Sequence, residues 1–254
     1  MLLAVDIGNT NITIGGFKDD ALSFVARIKT DAQKTSDEYA GKLLNTLSLF
    51  DISKTEISGA IISSVVPPLN RIMKNAIRFI SGKEPLIVGP GIKTGLNIHC
   101  DNPVSVGSDL ICACVAAHHL YGSPSIIIDM GTATKIMVVD KRGAFIGVSI
   151  IPGVLMGLKA LSSGTAQLPQ VSLEAPPSVI GKNTADCMKS GVVYGNASMI
   201  DGMIDRFTEE VGEDIPVYAT GGLSSTIVKY CKHEITLDEN MVLKGLNIIY
   251  KKNT

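Results

Sequence analysis

Short apolar runs, each closed by a polar turn, alternate along the chain with stretches of helical spacing. Leu2–Ile7 is a continuous apolar run ending in a turn, the pattern of a strand buried on both faces. Positions 11–17 and 22–28 follow after short polar turns and predict a three-strand meander. Positions 36–50 have helical spacing, with Tyr39, Leu43, Leu44 and Leu47 on one face. A strand is expected over 57–63. Pro67 and Pro68 then open a helix to about Ile80, because proline is tolerated in a first helical turn. A short strand over 85–88 completes the order β-β-β-α-β-α-β. The stretch 89–107, rich in Gly, Pro and Asn, reads as connection and active-site loop rather than core, and 106–121 as a helix.

The order then begins again. Strands are predicted over 125–129, 134–140 and 144–151, helices over 155–161 and 184–212, a strand over 216–220, a helix over 224–231, a short strand over 234–236 and a last helix over 241–250. The repeat shows in the residues too. Asp6-Ile7-Gly8-Asn9-Thr10 and Asp129-Met130-Gly131-Thr132-Ala133-Thr134 each close a strand with Asp-x-Gly and then a hydroxyl. Two copies of one α/β unit are therefore expected.

Composition narrows the function. Apolar residues make up 45 % of the 254, enough for a sizeable core, and 23 Lys+Arg stand against 24 Asp+Glu. Without a basic run, the electrostatic footprint of a nucleic-acid binder is missing. Small anions remain open as ligands, since backbone N–H groups and a metal hold them without a basic patch. The opening MLLAVDIGNT has no positive n-region and Asp6 interrupts its apolar run, so no signal peptide is expected. No stretch of about 18 apolar residues predicts a membrane span. Cys100, Cys112, Cys114, Cys187 and Cys231 include no CxxC pair and read as reduced thiols rather than a disulfide frame or a zinc site. A cytoplasmic protein is the expectation.

Three places carry candidate chemistry. An Asp at the end of a buried strand is costly unless paired or bound to metal. The turn after Asp6 reads as a phosphate-binding hairpin, with Gly8 allowing close backbone approach and Asp6 holding Mg²⁺ directly or through water; an ordinary turn with a capping Asp is the plain alternative. In Gly107-Ser108-Asp109-Leu110, Asp109 is either a helix-start acid favoured by the dipole or the general base for a primary alcohol acceptor. The residues alone do not choose. Thr220-Gly221-Gly222, between a strand and a helix, suits a ribose or adenine, or is a plain turn.

The motifs DIGNTN, ISSVVPPLN, VGPGIKTGLNI, DNPVSVGSD, DMGTATK, IIPG, IGKNTADCMKSGVVYG and ATGGL, in that order over nearly the whole chain, resemble those of the type III pantothenate kinases. The resemblance implies two ribonuclease-H-like domains of the acetate kinase/sugar kinase/Hsp70/actin superfamily, here 1–118 and 119–254. It implies a homodimer, and ATP-dependent phosphorylation of pantothenate, the first step of coenzyme A synthesis. The implied cofactors are ATP, Mg²⁺ and a monovalent cation, K⁺ or NH₄⁺. By the same resemblance Asp6, Ile7, Gly8, Asn9, Thr10, Asn11, Ile12 and Thr13 form the first ATP phosphate loop, and Thr132 the second ATP contact. Asp109 is the implied proton acceptor and Asp129 the monovalent-cation ligand. Gly107, Ser108, Asp109 and Leu110 line the acceptor pocket with Cys100, and Thr184 reaches it across the dimer. An independent pointer to a second copy is the apolar set Met188, Val192, Val193 and Met199 in the predicted long helix, since exposed apolar patches mark interfaces.

The sequence departs from the family's pattern at four places. Cys100 stands where a tyrosine is expected, Ser105 where an arginine is common and Leu110 where an arginine follows the catalytic Asp; besides these losses, Lys135 stands where a second threonine is usual. The erosion lies on the acceptor side and raises a second reading, a non-catalytic or altered-substrate paralogue acting as a binding or regulatory protein.

Overall fold

The computed structural model describes residues 1–165 and 168–254. They form two compact units. The first comprises Met1–Leu96, Asp101–His119 and Met241–Thr254; the second comprises Asn97–Cys100 and Leu120–Asn240.

The first unit is built on a five-stranded sheet in the order β3-β2-β1-β4-β5, with β1 (Leu2–Ile7), β2 (Asn11–Lys18), β3 (Ala21–Lys29), β4 (Gly59–Ser64) and β5 (Leu86–Ile87). The meander β1-β2-β3 is antiparallel, whereas β4 runs parallel to β1 and β5 parallel to β4. Strand β1 is apolar throughout because both its faces are covered. Leu3, Val5 and Ile7 pack with Tyr39, Leu43 and Leu47 of α1 (Ser36–Ser48) and with Leu69, Met73 and Ile77 of α2 (Pro67–Ser81). Helix α1 begins where Thr35 and Glu38 form a reciprocal capping box, and α2 where Pro67 and Pro68 occupy its first turn. Helix α7 (Met241–Lys251) returns to this unit and packs on β1, β2 and β4. Between Met1–Leu96 and the C-terminus, this unit also takes in α3 (Ser108–Leu120), in which every residue from Leu110 to Ala117 is buried.

The second unit repeats the plan. Its sheet has the order β11-β10-β7-β8-β9-β6, where β7 is Ser125–Met130, β8 Ala133–Val139, β9 Ala144–Pro152, β10 Val217–Thr220 and β11 Thr236–Leu237. Again a meander, β7-β8-β9, is followed by strands parallel to its first member. The core lies between β7, β8, β10 and helices α4 (Val154–Ser163), α5 (Thr184–Val211) and α6 (Ser224–Ile227). The duplication expected from the two Asp-x-Gly turns is thus present in the topology. The extra strand is β6 (Asn97–Ile98), which pairs with β9 inside the stretch expected to be connection and active-site loop. Two residues are too few for a periodic signal. Likewise β4 starts at Gly59 rather than 57, because Ser53 caps a 3₁₀ turn over Lys54–Glu56. Among the described residues no helix is long and apolar enough to cross a membrane.

The thiols sort by burial. Cys112 and Cys114 are fully buried, since α3 is covered all round although they lie on different faces; Cys187 is exposed. Burial pushes the Cys112 and Cys114 thiols well above their usual range, and Cys231 up to about 12. Alkylation of the folded protein should therefore label Cys187 first and reach Cys112 and Cys114 only on unfolding; mass mapping of the modified peptides checks this. The same burial predicts alkaline destabilisation. The unfolded chain ionises these thiols near 9.0 while the folded chain keeps them protonated. Their contribution is complete below that pH and is lost above it, by about 1.4 kcal/mol per pH unit for each thiol. Denaturant melts from pH 8 to about pH 10 would show the slope.

Candidate active site

In the first unit the strand register assembles the site. Asp6, at the C-terminal end of β1, lies beside Ser63 of parallel β4 and opposite Thr13 of β2. The Ser63 and Ser108 hydroxyls are 3.0 Å apart; Ser64 N donates to Ser108 Oγ at 2.8 Å, and Ser108 Oγ donates to Ser64 O at 3.1 Å. These bonds fasten the start of α3 to the end of β4 and fix the next residue, Asp109. The carboxylates of Asp6 and Asp109 both act on the buried Cys112 thiol and help raise it, after burial itself. Both acids therefore occupy one region, at the carboxyl ends of the parallel strands, where ligands of open α/β sheets bind. Space for the Asp109 carboxylate depends on Gly107, where a Cβ would stand 2.5 Å from Oδ1.

The β1–β2 turn is held from behind. Gly8 N donates to Asn11 O at 3.0 Å, Thr30 Oγ1 to Gly8 O at 2.7 Å, and Thr30 N to Thr10 O at 3.0 Å. Asn9, Thr10 and Asn11 are exposed, while Ile7 and Ile12 are buried and Thr13 half-buried. Of the expected phosphate loop, then, the polar tip faces outward and the two isoleucines belong to the core. Thr30 was not among the candidates. Its signal is a hydroxyl where the third meander strand ends level with the turn.

The second unit holds the other turn. Asp129, 9 % exposed, lies beside Thr220 of parallel β10 and directly opposite Lys135 of β8. Lys135 Nζ donates to Asp129 Oδ2 at 2.7 Å. Gly221, with φ +92°, takes the left-handed conformation that glycine tolerates, and a Cβ there would stand 2.7 Å from Asp129 Oδ1 and from the Met130 backbone. The Thr-Gly-Gly motif is thus the wall of the Asp129 turn. Thr132 is exposed at the tip of that turn, which Gly131 N closes on Ala133 O at 3.1 Å. Cys100 is half-buried just after β6, and Thr184 is exposed at the start of α5, behind the cap Asn183.

Two side chains in the expected acceptor loop face inward. The Ser108 hydroxyl is engaged by β4, and Leu110 is 6 % exposed. An arginine in place of Leu110 has to find room in a packed helix. We expect Leu110→Arg to cost about 1–3 kcal/mol as an overpacking change, read as a lowered denaturation midpoint. Tighter pantothenate KM with unchanged stability would show instead that position 110 opens on the acceptor. The apolar set on α5 also faces inward. Met188, Val192 and Val193 are buried in the second unit's own core and Met199 packs against it, so they do not form a face for a second copy.

Two tandem units, each with an Asp-ended central strand and a polar hairpin turn, define the ribonuclease-H-like class that includes acetate and sugar kinases, Hsp70 and actin. The chain belongs to the type III pantothenate kinase family, whose family model matches residues 2–206. A Moorella thermoacetica protein named Type III pantothenate kinase is 41 % identical over 255 residues, covering 100 % of both chains. One of the same name from an Exiguobacterium species is 42 % identical over 256 residues, covering 100 % of this chain and 99 % of that protein. Among solved structures, a Campylobacter jejuni protein described as a conserved Baf family transcriptional activator superposes with a TM-score of 0.62 at 20 % identity, over 99 % of this chain and 98 % of that one. Component A of (R)-2-hydroxyglutaryl-CoA dehydratase from Acidaminococcus fermentans gives 0.56 at 15 % identity, over 99 % and 98 %. Likenesses this distant speak for the fold alone.

Proposed function

We propose that the chain transfers the γ-phosphoryl group of ATP to the primary hydroxyl of pantothenate. The observation that carries this reading is the tie from Asp6 through Ser63 and Ser108 to Asp109, in a chain matched from end to end by relatives named for that activity. Asp109 takes the hydroxyl proton as the oxygen attacks phosphorus, the role a positioned carboxylate plays in phosphoryl transfer. The exposed tip Asn9–Asn11 and its backbone N–H groups cradle phosphate oxygens. Thr132 offers the second contact to ATP.

A divalent ion fits Asp6. Its register neighbours Thr13 and Ser63 offer hydroxyl oxygens, with the Cys112 thiol close by. That suits Mg²⁺, which keeps water and phosphate ligands and takes few carboxylates. When bound, it would neutralise charge on the transferring phosphate. A monovalent cation fits Asp129 poorly, because Lys135 already holds Oδ2.

A coupled ADP-release assay with pantothenate and a panel of other primary alcohols tests the reading. Pantothenate-dependent ADP formation is expected. Its absence, with another alcohol phosphorylated or none, overturns the assignment. The reduced thiols and the family point to the cytoplasm as the place of action. We further propose a homodimer, with Thr184 near the partner's acceptor site. In place of the α5 set, its support is the exposed apolar group Ile150, Leu155, Met156, Val179 and Ile180 of the second unit. A monomer mass in light scattering at micromolar concentration would rule the dimer out.

A further inference from the structure

We infer that the Lys135 ammonium serves as a built-in monovalent cation at Asp129, so that this enzyme works without added K⁺ or NH₄⁺. The inference rests on the kinase reading above and concerns the one acid of the second hairpin. Three observations support it.

The first is register. In the β7–β8 hairpin Asp129 and Lys135 are directly opposite, so their Cβ atoms are about 5 Å apart on one face of the sheet. The lysine needs no unusual path to reach the carboxylate, and β8 is itself fixed on its other side by β9, where Lys135 pairs with Ile150. The second is enclosure. The pair is short, at 2.7 Å, and its side chains are only 17 % and 12 % exposed. Gly221 closes in beside Oδ1, within van der Waals reach. A free cation at Oδ2 would have to displace the ammonium into a space with little water, leaving a buried charge unpaired. The third is the internal repeat. Opposite Asp6 in the first hairpin stands Thr13, a neutral hydroxyl. Opposite Asp129 stands the Lys135 ammonium. The two halves of one duplicated plan differ at this place, a hydroxyl facing one acid and an ammonium the other. An ammonium head has the charge of K⁺ and is chemically the alkyl form of NH₄⁺.

Rates of pantothenate-dependent ADP formation are to be compared in sodium or choline salts and in K⁺ or NH₄⁺ at constant ionic strength. The parent should change by less than about 2-fold, because a cation with no differential access to the site shifts nothing. Lys135→Thr should lose about 10²-fold in the K⁺-free buffer, the scale of one preorganised electrostatic contact, and recover most of it with K⁺. A readout independent of turnover is thermal stability. K⁺ should raise the midpoint of Lys135→Thr over that in choline, and leave the parent unmoved, since only the variant has a vacant position to bind it. Strong K⁺ activation of the parent overturns the inference, as does a Lys135→Thr protein that responds to K⁺ in neither rate nor midpoint. If Lys135→Thr does not fold, the parent's response alone decides, and Lys135→Met, which keeps the stem, replaces it in the midpoint measurement. No ADP formation by any protein in any salt would instead defeat the kinase reading, and the midpoints would still test the cation.

Discussion

Asp109→Asn is expected to lower pantothenate turnover by about 10²–10⁴-fold, the usual worth of a positioned general base. The substitution isolates that role. Asp109 Oδ1 accepts the Leu110 N–H at 2.9 Å, and the amide oxygen of an asparagine can keep that bond. The Ser63–Ser108–Ser64 ties that place the residue do not involve its side chain and remain. What disappears is proton affinity and one negative charge at the start of α3. Loss of the charge costs only a dipole contribution of about 0.3–1 kcal/mol in stability, too small to account for orders of magnitude in rate. Nucleotide affinity, measured by calorimetry, should stay within a few-fold because the proposed phosphate contacts at the β1–β2 turn do not involve the Asp109 side chain. Equal turnover in variant and parent would leave Asp109 as a helix-start acid and nothing more.

Gly245→Ala is expected to destabilise the first unit by about 3 kcal/mol, the upper end for overpacking. Glycine in a helix interior is ordinarily a weakness, and alanine gains about 1 kcal/mol there. Here the opposite sign wins. A Cβ at 245 would stand 1.9 Å from the Cys112 carbonyl oxygen and 2.6 Å from its carbon, so the backbones of α7 and α3 touch. A main-chain carbonyl inside a buried helix cannot swing aside as a flexible side chain can. The crossing must open, and α3 carries Asp109 at its start, so turnover should fall with stability. Gly202→Ala is the control. It lies in α5 with open space around its Cβ position and should be neutral or stabilising by up to about 1 kcal/mol. Because the chain has two units, the first unit's transition should be followed with its own probe rather than through a single midpoint. A Gly245→Ala protein as stable as the parent would mean that α7 does not seat on α3 at this point.

Much of the site was legible because its parts are local. The Asp-x-Gly turns announce themselves by an acid ending an apolar strand, and Asp109 by its place at a helix start. The hairpin partner of Asp129 was legible too, in principle. A turn closed at Met130 and Thr134 puts position 135 across from 129, yet Lys135 read only as a departure from a family pattern until the register was seen. Ser63 and Ser64 had no such signal, and Thr30 offered only a hydroxyl where its strand ends level with the turn. Ser63 and Thr30 act through ordinary hydroxyls and Ser64 through its main-chain N–H and carbonyl, all at strand ends, and the partner lies 44 or 45 residues away for the serines and 22 for the threonine.

By itself the sequence determined most of the strands and helices, the duplication and the acids at the strand ends, since each of these follows from period, turn chemistry or the cost of burying charge. Only the tertiary structure decided which apolar faces were already covered. Met188, Val192 and Val193 look like an interface in one dimension and are core in three. It also decided that α7 rejoins the first unit at Gly245, and that Leu110 points inward. The physical reason is the same in each case. Periodicity tells which side of an element is apolar, but what covers that side is a long-range packing choice, set by shape and by how closely two backbones approach, and no short window of sequence contains both partners.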